Sequence, residues 1–146
     1  MIRESYHYKR TIIGKIPCGE DLYNALSKIA QEENITVGRI TGLGATTFGR
    51  VAYYNQSTRI YETLEFSEPM EILSCFGNIT LRDSKPFVHV HLVMSDKDGK
   101  TFSGHLLPGT ILFACEIFID EFEGALLERG FDEQTGLFLW KEHCLL

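Results

Sequence analysis

The stretch "HVHLVMSDKDGKTFSGH", His89–His105, holds three of the chain's five histidines. Side chains alternate between the two faces of a strand, so His89 and His91 share one face. The residues that alternate with them are apolar and predict a buried face. This face consists of Val88, Val90, Leu92 and Met94.

The turn that follows decides whether His105 joins this pair. A two-residue turn centred on Asp98 and Gly99 would place His105 opposite Leu92, on the core face of the sheet. That register would bury a lone imidazole with no polar partner, which costs free energy.

A three-residue loop gives the opposite result. If the loop runs from Lys97 to Gly99, with Gly99 left-handed in a bulge, His91 lies opposite His105. His89 is then one diagonal step away, within reach of a common ion. We favour this register because it gathers all three imidazoles.

Three neutral imidazoles without a carboxylate among them suit zinc, with Zn–N distances near ~2.0–2.1 Å. Iron, nickel and copper are less favoured alternatives. A three-histidine set leaves a fourth position for water or substrate, as in catalytic zinc sites. The alternative interpretation is that the histidines cluster by chance on an exposed face, or pack at a subunit contact without metal.

Glu116 is the candidate general acid or base. It lies in the apolar strand "TILFACEIFI" (110–119), on the face opposite Cys115 and Ile117. A carboxylate among so many apolar side chains needs a partner, such as a metal-bound water, a histidine or an interface arginine. A structural ion pair explains it equally well.

The remaining pattern predicts one domain over residues 1–146, in the α/β (α+β) class. The segment "EDLYNALSKIAQEEN" (20–34) has the apolar spacing of one helix, packed on a largely antiparallel or mixed sheet. We interpret "GLGA" (42–45) as a tight connection between two strands, because the dinucleotide and phosphate-loop fingerprints are incomplete, and we predict no cofactor-binding residues. Residues 121–136 stay unassigned before a closing strand at "LFLW" (137–140).

Charge disfavours direct binding of DNA. The chain has 14 Lys and Arg against 20 Asp and Glu, a net charge of −6, which repels a phosphate backbone. The basic residues gathered near the N-terminus fit a solvated strand face better than a nucleic-acid arm. They are Arg3, Lys9, Arg10 and Lys15.

The four cysteines are widely spaced and form no CxxC pair, which predicts buried, reduced thiols. No segment is typical of a signal peptide or a membrane span, so we expect a cytoplasmic protein with no membrane partner.

Two long runs carry a family resemblance. "GEDLYNALSKIAQEENITVGRITGLGATTFGRVAYYN" (19–55) and "EPMEILSCFGNITLRDSKPFVHVHLVMSDKDGKTFSGHLLPGTILFACEIFI" (68–119) resemble the prokaryotic, stand-alone branch of the plants-and-prokaryotes-conserved (PPC) domain family. The likeness extends over roughly 12–140. It implies an α/β fold with a largely antiparallel sheet, and a homotrimer whose subunit contacts lie near the histidines. It also implies zinc ligation by His89, His91 and His105.

The resemblance carries a DNA-binding association as well, because plant members join this domain to an AT-hook. This chain has no Arg-Gly-Arg-Pro core, so the resemblance implies assembly and partner contacts more than DNA contact.

Three functions follow. The first is a small trimeric zinc-binding protein with a three-histidine site that binds or acts on a small molecule, with Glu116 as acid or base. The second is a DNA-binding or transcription-associated module without enzymatic activity. The third is a metal-stabilised assembly platform.

Overall fold

One nine-stranded sheet and one helix form the computed structural model, which describes residues 3–141. The main strand order is β1-β7-β2-β6-β5-β4-β8-β9, and β3 pairs with β2. Within the described residues every pairing is antiparallel except that of β4 with β8. The predicted α+β class is confirmed. The elements are β1 (His7–Ile16), α1 (Leu22–Glu32), β2 (Gly38–Asn55), β3 (Ile60–Phe66), β4 (Met70–Arg82), β5 (Lys85–Ser95), β6 (Thr101–Leu106), β7 (Ile111–Glu123), β8 (Glu128–Asp132) and β9 (Leu137–Trp140).

The long strand β2 holds the sheet together. It pairs with β4 and β7 along its first half and with β3 and β6 along its second. The pairings β2–β4, β4–β5, β5–β6 and β6–β2 therefore form a closed circuit. The core consists of apolar side chains from these strands, β7 and α1, among them Leu22, Leu26, Ile40, Ile79, Leu92, Ile117 and Ile119.

Helix α1 has the predicted apolar stripe, and it packs against β5. Asp21 caps it, since its Oδ1 accepts a hydrogen bond of 2.9 Å from the Asn24 backbone N–H. Asn34 takes the left-handed conformation after the helix, with φ 52°. The cap and the left-handed residue define the ends of the helix, and its apolar stripe packs it against the strand that carries His89 and His91.

The "GLGA" segment does not connect two strands, so that prediction is wrong. It lies inside β2, which runs unbroken from Gly38 to Asn55, with a register shift against β4 between Gly42 and Gly44. A Cβ on Gly44 would lie 2.2 Å from the Ala114 carbonyl oxygen of β7. The glycine is needed because the two backbones approach too closely for a side chain.

The unassigned segment 121–136 contains the end of β7 and all of β8. Strand β8 lies parallel to β4 and returns as β9, so the predicted closing strand at 137–140 is confirmed.

Two of the cysteines fit the prediction of buried thiols. Cys75 and Cys115 are buried and free, and burial raises the pKa of Cys75 to about 12 and that of Cys115 to about 11. Cys18 is exposed and departs from the prediction, while Cys144 lies outside the described residues. No helix within residues 3–141 is long and apolar enough to cross a membrane.

Candidate metal centre

The hairpin between β5 and β6 has the three-residue loop that we favoured. His91 lies opposite His105 in the register. Gly99 is left-handed, with φ 78°, and its N–H donates to the Asp96 carbonyl at 3.1 Å. The Asp96 N–H donates to the Lys100 carbonyl at 3.0 Å and closes the loop. The left-handed glycine therefore sets the pairing that brings the histidines together.

The three imidazoles converge on one point. One ring nitrogen from each lies within 4.8 Å of the other two, and the Nε2 atoms of His89 and His91 are 3.2 Å apart. Two nitrogens bound to a tetrahedral zinc lie roughly 3.3 Å apart, given Zn–N bonds of ~2.0–2.1 Å. The spacing of His89 and His91 therefore fits one small ion, and His105 completes a three-nitrogen set.

The environment keeps two of these rings neutral. Burial, assisted by the positive charge of Arg129 and by the neighbouring histidines, lowers the pKa of His89 to about 4. Burial likewise lowers the pKa of His105 to about 4, and its buried Nδ1 has no hydrogen-bond partner among the described residues. Neutral imidazoles with available lone pairs are the form that binds transition metals.

Arg129 of β8 lies behind His89 and is only 7% exposed. Its guanidinium donates to Thr80 Oγ1 at 3.0 Å, to the Phe138 carbonyl at 3.0 Å and to Asn78 Oδ1 at 2.9 Å. Its Nη2 lies 3.4 Å from His89 Nδ1. Neutral acceptors thus hold this buried cation beside the cluster.

The contact between Arg129 and His89 affects which ring nitrogen of His89 carries the proton. If Nδ1 of His89 accepts from Arg129, the ring proton lies on Nε2 and can be donated to His91. If His89 held a metal through Nε2, its ring proton would lie on Nδ1, facing the N–H donor of Arg129. Ligation through that nitrogen would therefore require the His89–Arg129 contact to loosen.

A cavity of about 810 Å³ opens beside the histidines. The hairpin of β2 and β3 forms one wall and the hairpin of β8 and β9 forms another. The two hairpins are joined by hydrogen bonds from Tyr54 Oη to the Thr135 carbonyl, and from Arg59 to the carbonyls of Glu133 and Gln134. The three-histidine cluster therefore faces a cavity that these two hairpins border.

Two arginines of this cavity, Arg82 and Arg129, are absent from our sequence analysis. Arg82 ends β4 and Arg129 lies in the segment that we left unassigned. Only the parallel pairing of β4 with β8 brings them together. No local spacing signals such a pairing, although a lone arginine within the apolar run "ALLERGF" (125–131) could have been examined as a buried cation.

Glu116 does not line the cavity. It is exposed on β7, between Lys15 of β1 and Leu43 of β2. A row of directly opposed residues crosses the sheet from its strand to β5, so Glu116 and His91 lie on the same face. This row is Phe118, Thr41, Phe76 and His91. The role of Glu116 as an acid or base stays a prediction.

Solved structures share this fold over nearly the whole chain. A metal-containing protein from Archaeoglobus fulgidus is 38% identical, with a TM-score of 0.92, covering 97% of this chain and 100% of that one. A plant- and prokaryote-conserved (PPC) protein from Pyrococcus horikoshii is 30% identical, with a TM-score of 0.91, covering 99% and 100%. A protein from Bacteroides thetaiotaomicron, provisionally described as DNA-binding, is 27% identical, with a TM-score of 0.84, covering 93% and 96%.

A longer curated relative also matches. A bifunctional protein GlmU from Synechococcus sp. (strain JA-3-3Ab) is 28% identical over 120 residues, which is 81% of this chain. The chain spans only 18% of the length of that relative. The sequence pattern of the Plants and Prokaryotes Conserved (PCC) domain matches residues 3–123, which include all three histidines. The chain therefore belongs to the Plants and Prokaryotes Conserved domain family.

Proposed function

We propose that the protein binds one divalent transition-metal ion, zinc, through His89, His91 and His105, and holds a small molecule in the adjoining cavity. The observation that carries this proposal is the convergence of three ring nitrogens within 4.8 Å, with the Nδ1 of His105 buried and without a hydrogen-bond partner in residues 3–141. The metal in the related Archaeoglobus fulgidus protein supports it.

The chain's own residues would each contribute to this function. A bound zinc ion would supply a Lewis acid with an open coordination position. The strand pairing of β5 and β6 holds the three imidazoles on one side of that position. The β2–β3 and β8–β9 hairpins form walls of the cavity in front of it.

We also propose that the protein assembles as a homotrimer through the sheet face that carries His91. This face exposes large apolar side chains, a feature that marks contact surfaces in soluble proteins. They include Ile13 at 69%, Phe76 at 58%, Leu43 at 54% and Phe118 at 42% exposure. Glu116 lies on the same face, so a trimer built on it would bring Glu116 to the subunit contact, where it could act on a neighbouring site.

Light scattering tests the trimer. Phe76→Asp places a charge in this face and is expected to give monomers, whereas Leu64→Asp on the outlying strand β3, at a 43% exposed site, leaves the trimer intact. A monomeric wild-type protein, or no effect of Phe76→Asp, would refute the proposed contact.

Elemental analysis of protein purified without an affinity tag tests the metal. We expect about one zinc per chain in the wild type and none in the variant that combines His89→Ala, His91→Ala and His105→Ala. His7→Ala is the matched control, because it removes an exposed histidine on β1. Equal metal in the triple variant and the control would reject the site.

A second candidate function is a DNA-binding or transcription-associated module, favoured by the description of the Bacteroides thetaiotaomicron relative. Two of the basic N-terminal residues, Lys9 and Arg10, are paired with Glu121, at 2.9 and 2.6 Å, which leaves less positive charge for phosphates. Retention on duplex DNA that falls steeply with salt would favour this module, and no retention at low salt would exclude it.

A further inference from the structure

We propose that the cavity beside the histidines selects an organic anion, with its carboxylate or phosphate group at Arg82 and Arg129 and an apolar body along the aromatic wall. The inference rests on the proposed function in one respect, because this cavity is where we place the ligand of the metal. It adds the chemical class of that ligand.

The chain sets two guanidinium groups side by side. Arg82 and Arg129 are directly opposed in the parallel pairing of β4 with β8. Both lie over the ring of Phe87, with their Cζ atoms 5.5 and 5.6 Å from its centroid. Two like charges this close repel each other, and a bound anion would offset that repulsion.

The part of the chain that the structure describes supplies no strong counter-ion for this pair. Arg129 is 7% exposed, and its hydrogen bonds go to neutral oxygens. Among the described residues Arg82 pairs with Asp83 alone, at 3.8 Å, and the Asp83 side chain is 88% exposed. Among residues 3–141, no Asp or Glu lines the cavity. A buried, uncompensated cation is costly, so the site is electrostatically incomplete without a ligand.

Arg82 has free donors for such a ligand. Within the described residues its guanidinium makes no hydrogen bond, while stacking on the ring of Phe138, 3.6 Å from Cζ to centroid, fixes its position. A planar guanidinium held in this way can donate two parallel hydrogen bonds to a carboxylate or a phosphate. The donors of Arg129 are largely used in hydrogen bonds within the chain, so Arg129 contributes mainly its positive charge to the site.

The rest of the cavity suits an apolar body. Its volume of about 810 Å³ far exceeds the size of inorganic phosphate, and it lies in the range typical of small-molecule sites. Aromatic and aliphatic side chains make up much of its wall, including Tyr53, Tyr54, Tyr61, Phe87, Phe138 and Leu139.

Three isosteric probes test the charge preference directly: benzoate (negative), benzamide (neutral) and benzamidine (positive). Their affinities are measured by ligand-observed NMR with the full chain, with zinc added and again after chelation. We expect benzoate to bind about tenfold more tightly than benzamide, and benzamidine to bind most weakly. Phenyl phosphate, compared with benzoate, tells a phosphate site from a carboxylate site.

Substitutions test whether the preference for benzoate over benzamide comes from the arginines. Arg82→Gln is expected to reduce benzoate binding about tenfold and leave benzamide unchanged, and Arg82→Lys to restore part of the loss. Lys28→Gln, on the exposed surface of α1, removes the same charge elsewhere and is expected to change neither. Near-ultraviolet circular dichroism checks that each variant keeps its fold.

The outcomes separate the two proposals. If zinc is absent yet benzoate is still preferred through Arg82, the metal proposal fails and the anion proposal stands. If zinc binds while benzoate and benzamide bind equally, or benzamidine binds best, the anion proposal is overturned. An equal loss in Lys28→Gln and Arg82→Gln would also overturn it, since the preference would then reflect overall charge.

Discussion

Two regions of the molecule treat buried charge in opposite ways. At the junction of β1 and β7, the carboxylate of Glu121, a residue only 5% exposed, is hydrogen-bonded by Lys9 and Arg10. Burial raises the pKa of Glu121, but these hydrogen bonds outweigh it and hold the pKa below its usual range. In the cavity, Arg129 is almost as buried, and within residues 3–141 its acceptors are neutral and another cation lies beside it.

This difference distinguishes a buried charge that the fold itself neutralises, that of Glu121, from one that suits the binding of a ligand, that of Arg129. The Glu121 cluster is neutralised from within the chain, so an external ion adds nothing to it. The cavity instead holds neutral imidazoles and guanidinium groups without an acidic partner among its lining residues, which suit an electron-pair acceptor and an anion, respectively.

The largest expected effect is on stability when metal is added. A ligand that binds only the folded state, at a thousand times its Kd, raises the free energy of unfolding by about 4 kcal/mol. We expect zinc to raise the Tm of the wild type and of His7→Ala, but not of the variant that combines His89→Ala and His105→Ala. Calorimetry after chelation and after zinc addition measures the Tm. An equal rise of the Tm in all three proteins would show that zinc does not act through His89 and His105.

A smaller effect is expected on acidification of the chelated protein. The pKa values of His89 and His105 are about 4 in the folded state, against an ordinary 6.5. Between these values the unfolded chain binds more protons, so the free energy of unfolding falls as the pH drops from 6.5 towards 4.

Urea unfolding at pH 7 and pH 5 tests this pH window. The pKa values of Asp120 and Glu121 are lowered in the folded protein, so these carboxylates stabilise it throughout this window and lose that contribution mainly below pH 5. A variant that combines His89→Gln and His105→Gln is therefore expected to lose most of the difference between pH 7 and pH 5. An undiminished difference would show that other groups carry it.

The smallest effect is expected from Glu121→Gln, which removes the charge from the paired cluster. Its two partners are 43% exposed and can return to water, so the cost is about 1 kcal/mol, without any change in metal binding. Glu32→Gln, in an exposed pair on α1, is the control and is expected to have no measurable effect. Loss of metal in Glu121→Gln would show that the two regions are coupled.

The sequence predicted the features that depend on short spacing. The apolar stripe of α1, the alternation around His89 and His91, and the left-handed Gly99 each determine local geometry within a few residues. Together they predicted the histidine cluster. The helix and the antiparallel class were predicted for the same reason.

Features that depend on distant pairing were missed. The parallel pairing of β4 with β8 joins Arg82 to Arg129, 47 positions along the chain, and no local pattern marks it. "GLGA" was misread because glycine is equally typical of a turn and of close backbone contact within a sheet. The exposure of Cys18 likewise depends on where the chain around it packs.

Two separate segments of the chain line the cavity, and this bears on how its ligand preference can be changed. The three histidines lie inside the stretch that matches the family, whereas Arg129 lies after residue 123, on the hairpin of β8 and β9. Under the two proposals, the metal ligands and Arg82 would both lie in the family-matched segment, and the terminal hairpin would add Arg129 and part of the apolar wall. If both proposals hold, exchanging the terminal hairpin alone is expected to change the ligand preference and to leave His89, His91 and His105 in place, so chimaeras would be joined at residues 124–127, between β7 and β8.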